Sequence, residues 1–225
     1  MLFIDNPRVL AIGAHPDDIE LGAAGLVYRL LNERSASVHF LVLTSGLQGW
    51  QRESPFAETD RKREAQSGAV ALGLQPEKVK VCDFEDCKLH ENVHEIIREI
   101  ENRLYDSNGQ RLYDIILTHA YGDTHSDHKQ TCEATISAAR YFHGTILFYQ
   151  APSTIPNEFH PTFFVNLDTD ALEKKDLAIM AHVSQREKEC TKNGRTVGMA
   201  KSWAIFHRRA EDSLEAFEVY KTYWE

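Results

Sequence analysis

Apolar residues fall in short runs separated by longer stretches in which they recur every three or four positions. The runs Val9 to Ala14, Val38 to Thr44, Val79 to Cys82, Asp114 to Thr118 and Thr145 to Tyr149 read as strands. The stretches Glu20 to Glu33, Ala57 to Leu72, Val93 to Tyr105, Lys129 to Tyr141 and Thr169 to Ala181 read as amphipathic helices. Within the second of these, Ala65, Ala69 and Leu72 repeat at helical spacing, and Gly73 follows as a C-cap. Strand and helix alternating in this way predict βαβ units on a parallel sheet. Beyond Tyr149 the alternation weakens. Pro152, Pro156 and Pro161 mark a loop, Phe163 to Leu167 reads as a strand and Leu214 to Tyr220 as a late strand, while the rest of the C-terminal third carries no assignment. The predicted class is α/β: one domain over residues 1–225, Rossmann-like and three-layered, with a mainly parallel sheet.

Two polar clusters interrupt this pattern, each just after a predicted strand. The first is Ala14-His15-Pro16-Asp17-Asp18, where Pro16 biases His15 away from helix and so lets an imidazole and two carboxylates fan out from a turn. The second is His125-Ser126-Asp127-His128. In parallel α/β sheets, ligands collect at the C-terminal edge of the strands, so the two clusters predict one shared metal site. A catalytic zinc site takes three protein ligands and leaves one position for water, and His15, Asp18 and His128 meet that requirement. Neighbours on an extended turn point in different directions, so one of Asp17 and Asp18 binds metal and the other is available as a general base. His125 is then free to stabilise an oxyanion or protonate a leaving amine, with Asp127 orienting its ring. The structural alternative for the acidic pair is helix capping.

Composition narrows the partner. With 34 acidic against 25 basic residues and a net charge of -9, the chain lacks the basic face of a phosphate-backbone binder, which excludes nucleic acid and favours a small molecule. The basic run Arg61-Lys62-Arg63 lies in a predicted helix and reads mainly as surface. The loop from Ser45 to Pro55, with Gly46, Gly49 and Trp50, is either a wall of the site or an ordinary surface loop. Cys82, Cys87, Cys132 and Cys190 have neither zinc-knuckle nor disulfide spacing, and no apolar run approaches the roughly 20 residues of a membrane span. A cytoplasmic protein with reduced thiols is expected, with self-association left open.

The two clusters resemble the AHPDD and HxDH motifs of the PIG-L/LmbE-like family of zinc-dependent N-acetylglucosaminyl deacetylases. Weaker echoes run through the rest of the chain: Thr44-Ser45-Gly46, the Arg61 to Glu64 helix ending at Leu72-Gly73, Ala181-His182-Val183-Ser184-Gln185, and Glu215-Ala216-Phe217. The resemblance implies the LmbE-like fold, Zn2+ or another divalent ion on His15, Asp18 and His128, Asp17 as general base, and His125 as stabiliser of the intermediate with Asp127 as its partner. It places Arg61 behind the Thr44 to Gly49 loop, reaching either a substrate hydroxyl or phosphate or, structurally, Glu64. The implied reaction is removal of acetate from an N-acetylated amino sugar or its conjugate. Two departures, Tyr149-Gln150 and Gly46-Leu47, fall where the family faces its substrate. Competing readings are an amidase acting on a non-sugar N-acyl substrate, a non-haem iron oxygenase with the same facial ligands, and a non-catalytic metal-stabilised sugar-binding protein.

Overall fold

Five strands and the helices between them follow the order that the apolar pattern predicts. The computed structural model describes residues 4–47, 58–186 and 195–223. The elements run β1 (Arg8–Gly13), α1 (Asp18–Arg34), β2 (Ser37–Thr44), α2 (Glu58–Ala71), β3 (Val79–Phe84), α3 (Val93–Leu104), β4 (Ile115–His119), α4 (Ser126–Ala138), β5 (Thr145–Tyr149), β6 (Phe163–Asn166), α5 (Thr169–Met180), α6 (Arg195–Phe206) and β7 (Leu214–Lys221). They build one seven-stranded sheet in the order β3-β2-β1-β4-β5-β7-β6. The first five strands are parallel, whereas β7 runs antiparallel to β5 and β6 antiparallel to β7.

Both faces of the sheet are covered, and the strands alternate accordingly. From β1, Val9 and Ala11 join α1, α2 and α5 in one core, while Leu10 and Ile12 join α3 and α4 in the other. Because β1, β2, β4 and β5 are buried on both sides along most of their length, their sequences read as continuous apolar runs, which made them legible. The order also dictates where a ligand can sit. β1 pairs with β2 on one side and β4 on the other, so the chain reverses direction across the sheet between them. In open α/β sheets ligands bind at such a switch point, here beyond the C-terminal ends of β1 and β4. Both polar clusters emerge there.

Helix α1, whose first residue is Asp18, lies unusually close to its neighbours. A Cβ on Gly22 would stand 2.2 Å from Tyr149 Cδ2, and one on Gly25 would stand 2.3 Å from Leu167 Cδ2. Its middle is entered by an ion pair. Gly25 N–H donates to Glu215 Oε1 at 2.8 Å and Leu26 N–H to Oε2 at 2.7 Å, while Lys175 Nζ donates to the Leu21 carbonyl at 2.7 Å and to Glu215 Oε1 at 2.6 Å. The Leu21 carbonyl and the Gly25 amide are helical partners by spacing, so the Lys175–Glu215 pair is spliced into that turn. At the opposite edge of the sheet, Arg8 grips Asp114 through its backbone N–H, Nε and Nη2 at 2.9, 3.0 and 3.0 Å. No helix among the described residues is long and apolar enough to cross a membrane.

Three expectations shift. α1 begins at Asp18 and α4 at Ser126, each earlier than its apolar periodicity, because polar first turns carry no hydrophobic signal. α6 was unassigned from sequence. Residues 48–57, with Gly49, Trp50 and most of the Ser45 to Pro55 loop, and Cys190 lie outside the described residues.

Candidate metal centre

The first motif is held by the edge of β2. Thr44 donates to the Ala14 carbonyl through N–H at 2.9 Å and Oγ1 at 3.0 Å, and Gly46 N–H returns to Thr44 Oγ1 at 3.1 Å. This is the structural meaning of the threonine-glycine echo. The turn then bends sharply: His15 N–H donates to Asp18 Oδ2 at 2.7 Å, and Asp17 adopts φ 121°, ψ -21°. The second motif starts α4, with His125 as N-cap accepting the Asp127 N–H at Nδ1, 3.2 Å away.

His15, Asp18 and His128 converge, with one potential ligand atom from each lying within 4.8 Å of the others. His15 turns Nδ1 to Asp18 Oδ2 at 3.3 Å, and His128 turns Nε2 to Asp18 Oδ1 at 3.3 Å. The opposite ring nitrogens meet carboxylates. His15 Nε2 lies 3.1 Å from Asp86 Oδ1 and 3.4 Å from Asp127 Oδ2; His128 Nδ1 lies 3.2 Å from Asp123 Oδ2 and 3.1 Å from Ser153 Oγ. Metal-binding histidines are commonly oriented in this way, with the second nitrogen donating to a carboxylate. Asp17, by contrast, belongs to none of the ligand groupings among the described residues. Two neutral imidazoles and one carboxylate, buried and mutually oriented, fit a zinc-type divalent ion.

The electrostatics agree with a site that holds a cation. Burial opposes ionisation of Asp18, yet the imidazoles of His128, His119 and His15 keep it well below the usual carboxylate range. Burial likewise pulls His128 down, but Asp18 and the hydrogen bond to Asp123 raise it to about 9. His15 is also lifted well above the usual histidine value, against burial, by Asp18, Asp127 and Asp86. His125 moves the other way, lowered by burial and by the neighbouring charges of His15 and His128. Its ring stacks on His128 at 4.6 Å between centroids.

Three anticipated positions take these places. Asp127 orients His125 through its backbone N–H, because its carboxylate turns away to accept the Cys87 N–H at 2.7 Å and to face His15. Of the two contacts foreseen for Arg61, the structural one is formed: it is 2% exposed and bonded to Glu64, Ser184, Pro16 and Ser45. Tyr149 does not face substrate: it is fully buried and donates its hydroxyl to the Ile12 carbonyl at 2.9 Å. Sequence reasoning missed His119, whose Nε2 stands 3.1 Å from Asp18 Oδ2, together with Asp86 and Asp123. Of these, only His119 left a signal, as a polar residue closing an apolar strand beside β1.

Residues 10–139, more than half of the chain and including both motifs, match the PIG-L family, described as GlcNAc-PI de-N-acetylase. The chain belongs to the PIG-L family. It is therefore an enzyme of a deacetylase family. A relative in Escherichia coli (strain K12), the uncharacterized deacetylase YaiS, is 29% identical over 180 residues, covering 78% of this chain and 90% of YaiS. The fold is shared with the conserved protein TT1542 from Thermus thermophilus, at 20% identity and TM-score 0.75 over 97% of each chain. It is shared equally with the N,N'-diacetylchitobiose deacetylase of Pyrococcus horikoshii, at 20% identity and TM-score 0.75 over 96% of this chain and 84% of that one. GalB, the 4-carboxy-2-hydroxymuconate hydratase of Pseudomonas putida KT2440, has TM-score 0.75 at 16% identity over 97% of this chain and 98% of its own. The PIG-L fold alone does not dictate the chemistry; the site residues do.

Proposed function

We propose that this protein is a zinc-dependent N-deacetylase that removes the acetyl group from an N-acetylated amino sugar or its conjugate. The observation that carries the reading is the convergence of His15, Asp18 and His128, with the His125 ring 4.6 Å from that of His128 and Asp17 next to Asp18 in the chain. His15 through Nδ1, Asp18, and His128 through Nε2 would hold the ion. When bound, it supplies Lewis acidity and brings the pKa of water toward neutrality. Asp17 takes the proton of the attacking water as the new C–O bond forms at the acetyl carbon. His125 stabilises the oxygen that becomes negative. Its Nδ1 accepts the Asp127 N–H, so the neutral ring carries its proton on Nε2, and that N–H is a donor aimed at charge present only after attack. Asp17 then returns the proton to the nitrogen as the C–N bond breaks, yielding acetate and the free amine. The amino-sugar assignment is supported by the PIG-L description and by the diacetylchitobiose deacetylase among the structural relatives.

Metal analysis of the purified protein, followed by an acetate-release screen, tests this reading. The screen covers free, nucleotide-linked, thiol-linked and lipid-linked N-acetylated sugars and non-sugar amides. One zinc-type ion per chain and acetate from an amino-sugar class are expected, with both lost in His128→Ala. Full metal occupancy in His128→Ala would refute the ligand set. Acetate from non-sugar amides alone would shift the reading to an amidase, and bound metal without release from any class would leave a sugar-binding protein.

A further inference from the structure

Arg61 stands where four pieces of chain meet. From the first turn of α2 its Nη2 donates to the Pro16 carbonyl at 2.7 Å, Nε to the Ser45 carbonyl at 3.2 Å, and Nη1 to Glu64 Oε2 at 3.1 Å and Ser184 Oγ at 3.0 Å. The partners are themselves fixed. Glu64 accepts Ser184 N–H at Oε1, 2.8 Å away, and the Ser184 hydroxyl at Oε2, 2.5 Å away, while Gln185 Nε2 donates to Ser184 Oγ at 2.9 Å. Gly46 leaves the room this requires: its φ is +65°, and a Cβ there would lie 3.1 Å from Arg61 Nη2.

What the guanidinium grips is the turn that bears Asp17. At φ 121° Asp17 sits in backbone space that side chains rarely adopt, and such strain persists only where surrounding contacts over-determine it. The Pro16 carbonyl belongs to the peptide entering Asp17, so the 2.7 Å bond to Nη2 restrains that residue's φ directly. Asp17 Oδ1 lies 3.8 Å from the same nitrogen, an ion-pair distance too long for a hydrogen bond. A lysine could not reproduce the hold, because one ammonium cannot span Pro16, Ser45 and Glu64 as a planar fork does.

We propose that Arg61 is a positioning residue: it holds the Pro16 carbonyl, and through it the strained Asp17, in the orientation proton transfer needs, with Glu64 and Ser184 fixing the guanidinium. The part played by Asp17 rests on the function proposed above; the brace itself does not.

The test compares Arg61→Lys, Arg61→Ala and Ser184→Ala with wild type by hydrogen exchange, metal content and steady-state kinetics. The Asp18 and Leu21 amides, bonded to the His15 and Asp17 carbonyls, report on the turn. Faster exchange there, retained metal, kcat lowered roughly 10- to 100-fold and KM little changed are expected for Arg61→Lys, with a smaller effect in the same direction for Ser184→Ala. Methylguanidinium added to Arg61→Ala restores part of kcat. A raised KM with unchanged kcat would make Arg61 a substrate contact, and unchanged exchange in the turn would remove the brace. Should Arg61→Ala not fold, the other two variants decide. Should wild type release no acetate, the proposed function fails while the exchange comparison still judges the brace.

Discussion

Asp17 and His125 differ from the three convergent residues proposed as ligands in what their removal should do. Asp17→Asn removes the only proton acceptor assigned to the turn while leaving the trio intact, so metal content should hold and kcat should fall by about 10² to 10⁴. His125→Ala removes a donor that matters only once charge has developed, so it too should retain metal and lose kcat with KM little changed. Metal analysis beside kinetics checks both; metal loss in either variant would make that residue a ligand. These five positions were readable because each motif is local in sequence: Pro16 announces a turn, and His125 and His128 are one helical turn apart. Their supports were not. Asp123 lies just ahead of the second motif but outside its pattern, while Asp86 and His119 reach His15 and Asp18 only through strand register and the course of the loops. No spacing rule links residue 18 to residue 119.

At the scale of elements, α1 matters most, because its first residue is a proposed ligand and its backbone between Leu21 and Leu26 is contacted by an ion pair from elsewhere in the chain. Gly22 should be the sensitive point. Replacing a helical glycine by alanine ordinarily stabilises, by about 1 kcal/mol. Here a Cβ would meet the ring of Tyr149 at 2.2 Å, and that ring is fully buried with its hydroxyl anchored on Ile12. Overpacking wins, and Gly22→Ala should cost about 1–3 kcal/mol, seen as a Tm several degrees lower. An unchanged or raised Tm would show that Tyr149 can move aside. The same helix shows where periodicity stops informing. Its apolar stripe predicted its existence, but Asp18 and Glu20 in its first turn are buried by partners that lie elsewhere, so its true start was hidden. The Glu215-Ala216-Phe217 echo was visible as a pattern without a reason; the reason is that Glu215 occupies amides of α1 and Phe217 fills the core.

For the whole molecule, all seven strands were legible as apolar runs, the doubly buried central ones most plainly, whereas the antiparallel order β5-β7-β6 left no local signal and α6 carried no assignment. Acid stability offers a test at this scale. Burial would raise the Asp114 carboxyl, but the hydrogen bonds and charge of Arg8 hold it below the usual value. A depressed carboxyl contributes stability above the unfolded value near about 4 and loses it as pH falls through the folded value. The pair joins the starts of β1 and β4, and with Arg8 45% exposed its charge interaction is worth at most about 1 kcal/mol. Wild type should therefore exceed Asp114→Asn by a constant margin near neutrality, and urea titrations should show that margin closing below about pH 4. A margin that persists at pH 3 would assign it to shape instead of charge. The ion pair spliced into α1 has a bearing on biogenesis. Lys175 and Glu215 both bond to the backbone of α1 between Leu21 and Leu26, and β6 has no place in the sheet until β7 separates it from β5. During synthesis, Asp18 leaves the ribosome long before the residues that seat its helix. A nascent chain halted ahead of Glu215 should thus be open to proteases along α1, and closure of the N-terminal half should coincide with arrival of a strand made some two hundred residues later.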